Sequence, residues 1–232
     1  LQRKIMTRET LDRKIEELLD EVVLLGSMVE QATLRSIRAL NSRDIEESKS
    51  VYKGDGPIND KRFEIEERTI TIIATQQPLA RDIRVLSSIF EVITDLERMG
   101  DYAKGIGRVS RKIGAESKIK PPEELLRMGE IGVEMLHQAV QAFSQGDAAK
   151  ARIVPPMDDE VDALFKKVLK MILKWMVEDP DEIDNYNHLL WAAHNLERLA
   201  DRVTNICERT VYVETGVLLE IDVSDDEERE TD

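Results

Sequence analysis

Apolar residues recur every three or four positions along almost the whole chain, and this spacing predicts long amphipathic helices. Glycine, proline and polar clusters interrupt the pattern, so we predict six helices. In the first half they span about 8–41, 44–76 and 78–114, with the second loosened near Gly54-Asp55-Gly56-Pro57. In the second half they span about 123–145, 148–178 and 180–214. The pattern therefore predicts an all-α protein.

A short motif divides the chain into two similar halves. Leu96-Glu97-Arg98-Met99-Gly100-Asp101 reappears 100 residues later as Leu196-Glu197-Arg198-Leu199-Ala200-Asp201, which indicates an internal duplication. An apolar seam runs through each copy at matching positions. These positions are Leu86, Ile89, Ile93, Leu96, Gly100, Ala103 and Gly107 in the first half, and Tyr186, Leu189, Ala193, Leu196, Ala200, Val203 and Cys207 in the second. We therefore expect two tandem three-helix bundles, each with the same helix face packed inward.

Composition narrows the classes of function. The 232 residues include 47 acidic and 33 basic side chains, a net charge of -14, which leaves no uniform basic surface for nucleic acid. The lone Cys207 excludes an intramolecular disulfide, no apolar run approaches the ~20 residues that cross a bilayer, and the opening residues do not resemble a signal peptide. We expect a cytoplasmic protein with bundles at 8–116 and 120–216 and an acidic disordered tail at 221–232.

Each copy of the motif carries two acidic side chains four positions apart, which share one face of a helix and repel each other. An upstream helix in each half carries a second pair of similar spacing. If the two helices pack antiparallel, the pairs converge into a pocket of oxygen ligands that suits hard cations. The candidate metal ligands are Asp55, Asn59, Glu97 and Asp101 in the first half, and Asp158, Asp162, Glu197 and Asp201 in the second.

The residues alone leave three uses of these pairs open. Oxygen ligands without thiolates favour magnesium, manganese, calcium or iron over a closed structural zinc site, and the neutral Asn59 predicts weaker binding in the first half. In a metal-free scaffold, arginines such as Arg98 and Arg198 would neutralise the pairs instead. A di-metal oxidase or hydrolase would need an open coordination position. His194 stands three residues before Glu197, but its counterpart is Thr94, so we leave it out of the site.

Two stretches resemble the signatures of the PhoU family. The first is Gln76-Gln77-Pro78-Leu79-Ala80-Arg81-Asp82-Ile83-Arg84 followed by Asp95-Leu96-Glu97-Arg98-Met99-Gly100-Asp101, and the second is Asn195-Leu196-Glu197-Arg198-Leu199-Ala200-Asp201. The likeness covers about 10–220. It implies tandem three-helix bundles with metal clusters on paired acids, and it transfers this role to the candidate ligands above, except that Asn59 departs from the acidic form.

The resemblance also implies a function. PhoU proteins are negative regulators of phosphate uptake that link the ATPase of a phosphate ABC transporter to a sensor histidine kinase. The implied cofactors are divalent or trivalent metal ions, among them iron, manganese, magnesium and zinc. We therefore expect a metal-binding adaptor that is not an enzyme and that reaches the membrane only through its partners, with homodimerisation left open.

Overall fold

The computed structural model describes residues 2–221, with side chains from Arg8 onward. This range contains seven α-helices and no strand. The helices are α1 (Gln2–Ser42), α2 (Ile45–Gln76), α3 (Ala80–Ile113), α4 (Glu123–Gln145), α5 (Ala148–Ile153), α6 (Asp158–Glu178) and α7 (Ile183–Thr215). Short 3₁₀ turns at Pro155–Met157 and Pro180–Glu182 precede α6 and α7. Apart from Ile221, the predicted tail lies outside the described residues, and the predicted bundle boundaries stay predictions.

Six of these helices are long, which confirms the predicted architecture, and α5 is a short addition. The predicted helix at 148–178 is interrupted after Ile153, because Pro155 and Pro156 lack the amide hydrogens that would continue the helical hydrogen bonds. The interruption places Asp158 in the first turn of α6.

The predicted loosening around Pro57 is wrong, since α2 runs without a break from Ile45 to Gln76. Pro57 is exposed, while Asp55 and Ile58 on the inward side of the same turn are buried, so packing holds the helix across the missing hydrogen bond. The third helix begins at Ala80, two residues after the predicted proline. Its start is fixed by the Asp82 carboxylate, which accepts a 2.9 Å hydrogen bond from the Leu79 amide.

The helices form two three-helix bundles that pack side by side. The first bundle contains α1, α2 and α3, and the second contains α4, α6 and α7, with α5 against α4 and α7. Helix α3 packs on α7, and α1 packs on α4, so one continuous apolar core runs through both bundles. Helices α2 and α6 contact only their own bundle and therefore form the outer edges of the molecule.

Both predicted seams lie in this core. All seven seam positions on α3 are buried, and on α7 all are buried except Tyr186, which is half-buried beside Trp175. Gly100 allows the close approach expected of a small seam residue, because a Cβ there would lie 3.2 Å from the side chain of Ile58 on α2. The periodicity therefore identified the inward face of each central helix correctly.

A second buried face of α3 joins the two bundles, and the sequence did not reveal it. Arg202 of α7 donates a 2.9 Å hydrogen bond to the buried carboxylate of Asp95, and the Arg198 guanidinium lies 4.7 Å from the centre of the Tyr102 ring. Further along, Gly105 lies against Asn195. From the first contact to the last, the residue numbers rise along α3 and fall along α7, so the two helices are antiparallel. Helices α3 and α7 are equivalent helices of repeats that lie 100 residues apart. Because they pack antiparallel, the two bundles are related by an approximate two-fold axis.

Loss of the inter-bundle ion pair should destabilise the protein. Arg202→Gln leaves the Asp95 carboxylate buried without its charged partner, and we expect a cost of about 2–3 kcal/mol in the free energy of unfolding. Urea denaturation of the variant and the wild type measures this cost. Adding Asp95→Asn to the variant removes the unpaired buried charge and should recover most of the lost stability. A double variant that is no more stable than Arg202→Gln alone would contradict the role assigned to this pair.

Candidate functional site

The outer helix of each bundle runs antiparallel to its central helix, as the metal-site prediction required. In the first bundle Asp55 of α2 contacts Lys104 of α3, and Ser48 contacts Ser110 further along. In the second, the rings of Phe165 and His194 have centres 6.2 Å apart, and those of Trp175 and Tyr186 are 5.9 Å apart. The predicted acidic pairs of each half therefore face one another across two helices.

The first cluster consists of Asp55, Asn59, Glu97 and Asp101, and the protein supplies its own cation there. Lys104 Nζ lies 2.6 Å from Asp55 Oδ2 and 3.8 Å from Asp101 Oδ1. The Asn59 amide lies 3.4 Å from the same Asp55 oxygen as a hydrogen-bond donor. This ammonium group therefore lies beside two of the four residues predicted to hold a metal ion.

The remaining acid of the first cluster, Glu97, is partly buried. Burial raises the pKa of the Glu97 carboxyl, and repulsion from Asp101 raises it further. The arginines Arg62 and Arg98 act in the opposite direction and favour the ionised form. The pKa of Glu97 stays raised, so these arginines compensate its charge only in part.

The second cluster consists of Asp158, Asp162, Glu197 and Asp201. Asp158 is 8% exposed, and its Oδ1 atom is buried without a hydrogen bond among the described residues. Glu197 Oε2 is likewise buried and accepts no hydrogen bond, although His194 Nδ1 lies 3.2 Å away and would attract it when protonated. Buried carboxylate oxygens without donors are costly, so the cluster is an unfavourable place for negative charge.

The pKa values of the second cluster reflect this cost. Burial raises the pKa of Asp158 to about 7, with repulsion from Asp201 and Asp162 as the next causes. Burial and repulsion from Asp201 also raise the pKa of Glu197 to about 7. Partial loss of hydration and repulsion from Asp162 raise the pKa of Asp201. The positive end of the α6 helix favours an anion at Asp158, but burial and its acidic neighbours outweigh it.

Arg198, which was expected to neutralise the acidic pair if no metal is bound, neutralises the second cluster only weakly. Arg198 lowers the pKa values of Glu197 and Asp201, but less than burial and neighbouring carboxylates raise them. Its guanidinium lies over the Tyr102 ring at the interface between the bundles instead.

The difference between the clusters can be traced to single positions of the repeat. The residue 100 positions after Lys104 is Thr204, so the second cluster lacks the lysine. Asp55 and Asn59 match Asp158 and Asp162 at an offset of 103, and at that offset Arg62 corresponds to Phe165. Comparison of these positions in the sequence would have revealed the asymmetry.

In residues 8–221, no group of three or more histidine, cysteine, aspartate and glutamate side chains is arranged to hold one metal ion. Binding of an ion would therefore require the acidic side chains to turn toward it. None of the described helices is long and apolar enough to cross a membrane.

Comparison with known proteins shows which family this duplicated helical chain resembles. The family model described as the PhoU domain matches residues 22–109 and again 125–210. The chain belongs to the PhoU family. A PhoU homolog of Clostridium acetobutylicum, named a phosphate-specific transport system accessory protein, is 34% identical over 221 residues, covering 95% of this chain and 100% of the relative. PhoU of Escherichia coli, with the same accessory-protein name, is 31% identical over 88% of this chain and 84% of its own length.

Solved PhoU structures share the fold. The crystal structure of the phosphate transport system regulatory protein PhoU from Streptococcus pneumoniae superposes with a TM-score of 0.84 at 31% identity, covering 92% of this chain and all of that one. PhoU from Pseudomonas aeruginosa gives 0.84 at 30% identity, covering 89% and 99%. These PhoU proteins are named for accessory and regulatory roles, so the expectation that the chain is not an enzyme is confirmed.

The raised pKa of Asp158 predicts a pH-dependent effect of removing its charge. An acid whose pKa rises on folding holds its proton more tightly in the folded state, so its contribution to stability is lost as the pH rises from about 4 to about 7. In chelator-treated protein, Asp158→Asn should therefore have little effect at pH 4. At pH 8 it should stabilise by about 1 kcal/mol or more, about 2–4 °C in Tm, measured by thermal unfolding.

Asp55→Asn is the matched control, since Asp55 occupies the equivalent position in the first cluster. This substitution removes the ion-pair partner of Lys104, so at pH 8 it should destabilise by about 1–3 kcal/mol. If both substitutions changed the stability in the same direction at pH 8, that result would contradict the claim that a lysine neutralises the first cluster and that the second cluster lacks such a partner.

Proposed function

We propose that this protein is a cytoplasmic accessory regulator of a phosphate-specific transport system. In this role it represses phosphate uptake and phosphate-responsive signalling by contacting the ATPase of a phosphate ABC transporter and a sensor histidine kinase. The observation that carries the proposal is the 34% identity over the full length of a relative named as an accessory protein of that system. The two PhoU domains and the shared fold support it.

The outer surfaces of the molecule suit an adaptor. Helices α2 and α6 each touch only their own bundle, and both expose large apolar side chains to solvent. On α2 these are Phe63, Ile70 and Ile73, and on α6 they are Leu173 and Val177. Exposed apolar residues grouped on one helix face are a common feature of protein contact surfaces. The duplication therefore gives one protein two separate faces for contact with partners.

The second cluster is the stronger candidate for metal binding in this proposal. Its acids lie on two helices, and two of its buried oxygens lack donors among the described residues, against one, Asp55 Oδ1, in the first cluster. A cation would relieve the repulsion among these acids. Asp158, Asp162, Glu197 and Asp201 supply only oxygen ligands, which suit iron, manganese or magnesium. A bound ion would supply positive charge and so hold α6 against α7.

The first cluster has less need of an ion. Lys104 already contacts Asp55, and Asn59 contributes no negative charge. Binding by Asp55, Asn59, Glu97 and Asp101 would have to displace this ammonium group or share the carboxylates with it. We therefore expect the second cluster to hold most of the bound metal.

A single lysine should convert the second cluster into the metal-free type. Thr204→Lys places an ammonium group where Lys104 stands in the first bundle, and it should remove most of the metal bound by the purified protein. Elemental analysis of protein purified without chelator or nickel resin measures this, and circular dichroism checks the helices. The reciprocal Lys104→Thr should increase metal binding. Wild-type protein without metal would favour the metal-free scaffold, and undiminished metal in Thr204→Lys would contradict the assignment of the bound ion to the second cluster.

The adaptor role predicts that loss of the second cluster weakens partner contacts without unfolding the protein. Glu197→Ala combined with Asp201→Ala should reduce co-purification of the transporter ATPase and the histidine kinase from the same genome. The matched variant Glu97→Ala with Asp101→Ala should have the smaller effect. If neither partner co-purifies with the wild-type protein, the proposed adaptor role is wrong.

A further inference from the structure

A groove between α3 and α7 lies at the far end of the inter-bundle interface from the Asp95–Arg202 pair. Its volume is about 360 Å³, within the range of about 300–1,000 Å³ typical of small-molecule sites. Arg108 and Lys112 of α3 line one side, and polar and aromatic residues of α7 line the other. No aspartate or glutamate among the described residues lines it, although the chain carries a net charge of -14.

The aromatic residue of the groove is Trp191, which is 60% exposed. The core does not require a tryptophan here, because the equivalent position of the first repeat is Glu91, which is also exposed. A tryptophan ring beside a cavity offers a flat face on which another aromatic ring can stack.

The two cations of the groove have no ion-pair partner within residues 8–221, in contrast to Lys104 and Arg202. Lys112 is exposed, and Arg108 makes only a distant contact, 5.9 Å from the centre of the Tyr52 ring. Unpaired cations at the edge of a concave site suit a phosphate group, which accepts several charge-assisted hydrogen bonds.

The approximate two-fold axis supplies an internal comparison. The positions equivalent to Arg108 and Lys112 are Glu208 and Tyr212. Glu208 accepts a 3.0 Å hydrogen bond from the backbone amide of Ile221, so the last described residue meets α7 at that end. The cationic pair beside a tryptophan is thus specific to one end of the interface and is not a requirement of the repeated fold.

Two amides line the groove together with His188 and Val109. The side chains of Asn187 and Asn195 line it and make no hydrogen bond within the described residues. Asn195 lies against Gly105, where a Cβ would come within 2.8 Å of its Nδ2 atom, so only glycine leaves the amide in this position. Each amide offers both a donor and an acceptor to a ligand.

We propose that this groove binds a nucleotide. The base stacks on Trp191, the two asparagine amides form hydrogen bonds with its edge, and Arg108 and Lys112 hold the phosphate. A ligand that combines a flat heteroaromatic ring with an attached phosphate uses every unpartnered group described above. The proposal concerns binding alone, and it depends on neither the metal clusters nor the phosphate-transport role.

Fluorescence of Trp191 provides a direct test. The chain has two tryptophans, so Trp175→Phe leaves Trp191 as the only one. This protein is titrated with AMP and with GMP in the presence of EDTA, which keeps metal ions away from the carboxylate clusters. We expect saturable quenching by at least one nucleotide with a Kd below about 1 mM, and binding of adenosine and of inorganic phosphate at least about tenfold weaker.

Charge-matched variants make the test specific. Lys112→Gln and Arg108→Gln should each weaken binding about fivefold or more, whereas Lys170→Gln removes the same charge from the exposed face of α6 and should leave it unchanged. Equilibrium dialysis with labelled nucleotide gives a second readout, and thermal unfolding confirms that each variant is folded. No saturable binding of AMP or GMP up to about 5 mM, phosphate binding as tight as the nucleotide's, or equal losses in Lys112→Gln and Lys170→Gln would overturn the proposal.

Discussion

Burial and mutual repulsion of the carboxylates of Asp158, Glu197 and Asp201 are the constraint on which the behaviour of the second bundle depends. Asp158 and Glu197 each have a buried oxygen, and burial first and repulsion second raise the pKa values of all three groups. The first bundle meets the same problem with a lysine, because Lys104 contacts Asp55 directly. The second bundle has no lysine at the equivalent position, where Thr204 stands.

The second cluster cannot relieve its repulsion by moving the helices apart. Val161 of α6 and Leu196 and Leu199 of α7 are buried in the core on either side of it. Helix α7 is further fixed by α3 of the other bundle. The remaining ways to lower the energy are protonation, side-chain rotation into solvent, or a bound cation. This packing continues into the first bundle through the contact between α3 and α7.

The sequence predicted the repeated parts of the structure well and the asymmetric parts poorly. The period of the seam identified the buried face of each central helix, since helical spacing reports which positions share a face. Asp95 and Arg202 were not recognised as a buried pair, because charged residues outside the seam look like solvated surface. Lys104 was missed because its partner Asp55 lies on another helix, and Pro155-Pro156 was not recognised as the point where α6 begins. The adjacent prolines and the offset comparison of Lys104 with Thr204 were signals that the sequence did contain.

The central claim, that a cation replaces protons on the second cluster, is tested most directly by the protons released on metal binding. Titration calorimetry with manganese at pH 6.5, in two buffers of different ionisation enthalpy, measures that number. Because Asp158 and Glu197 have pKa values of about 7, we expect release of about one proton or more per ion. Thr204→Lys should show little heat of binding. Tight manganese binding with no proton release would contradict the account.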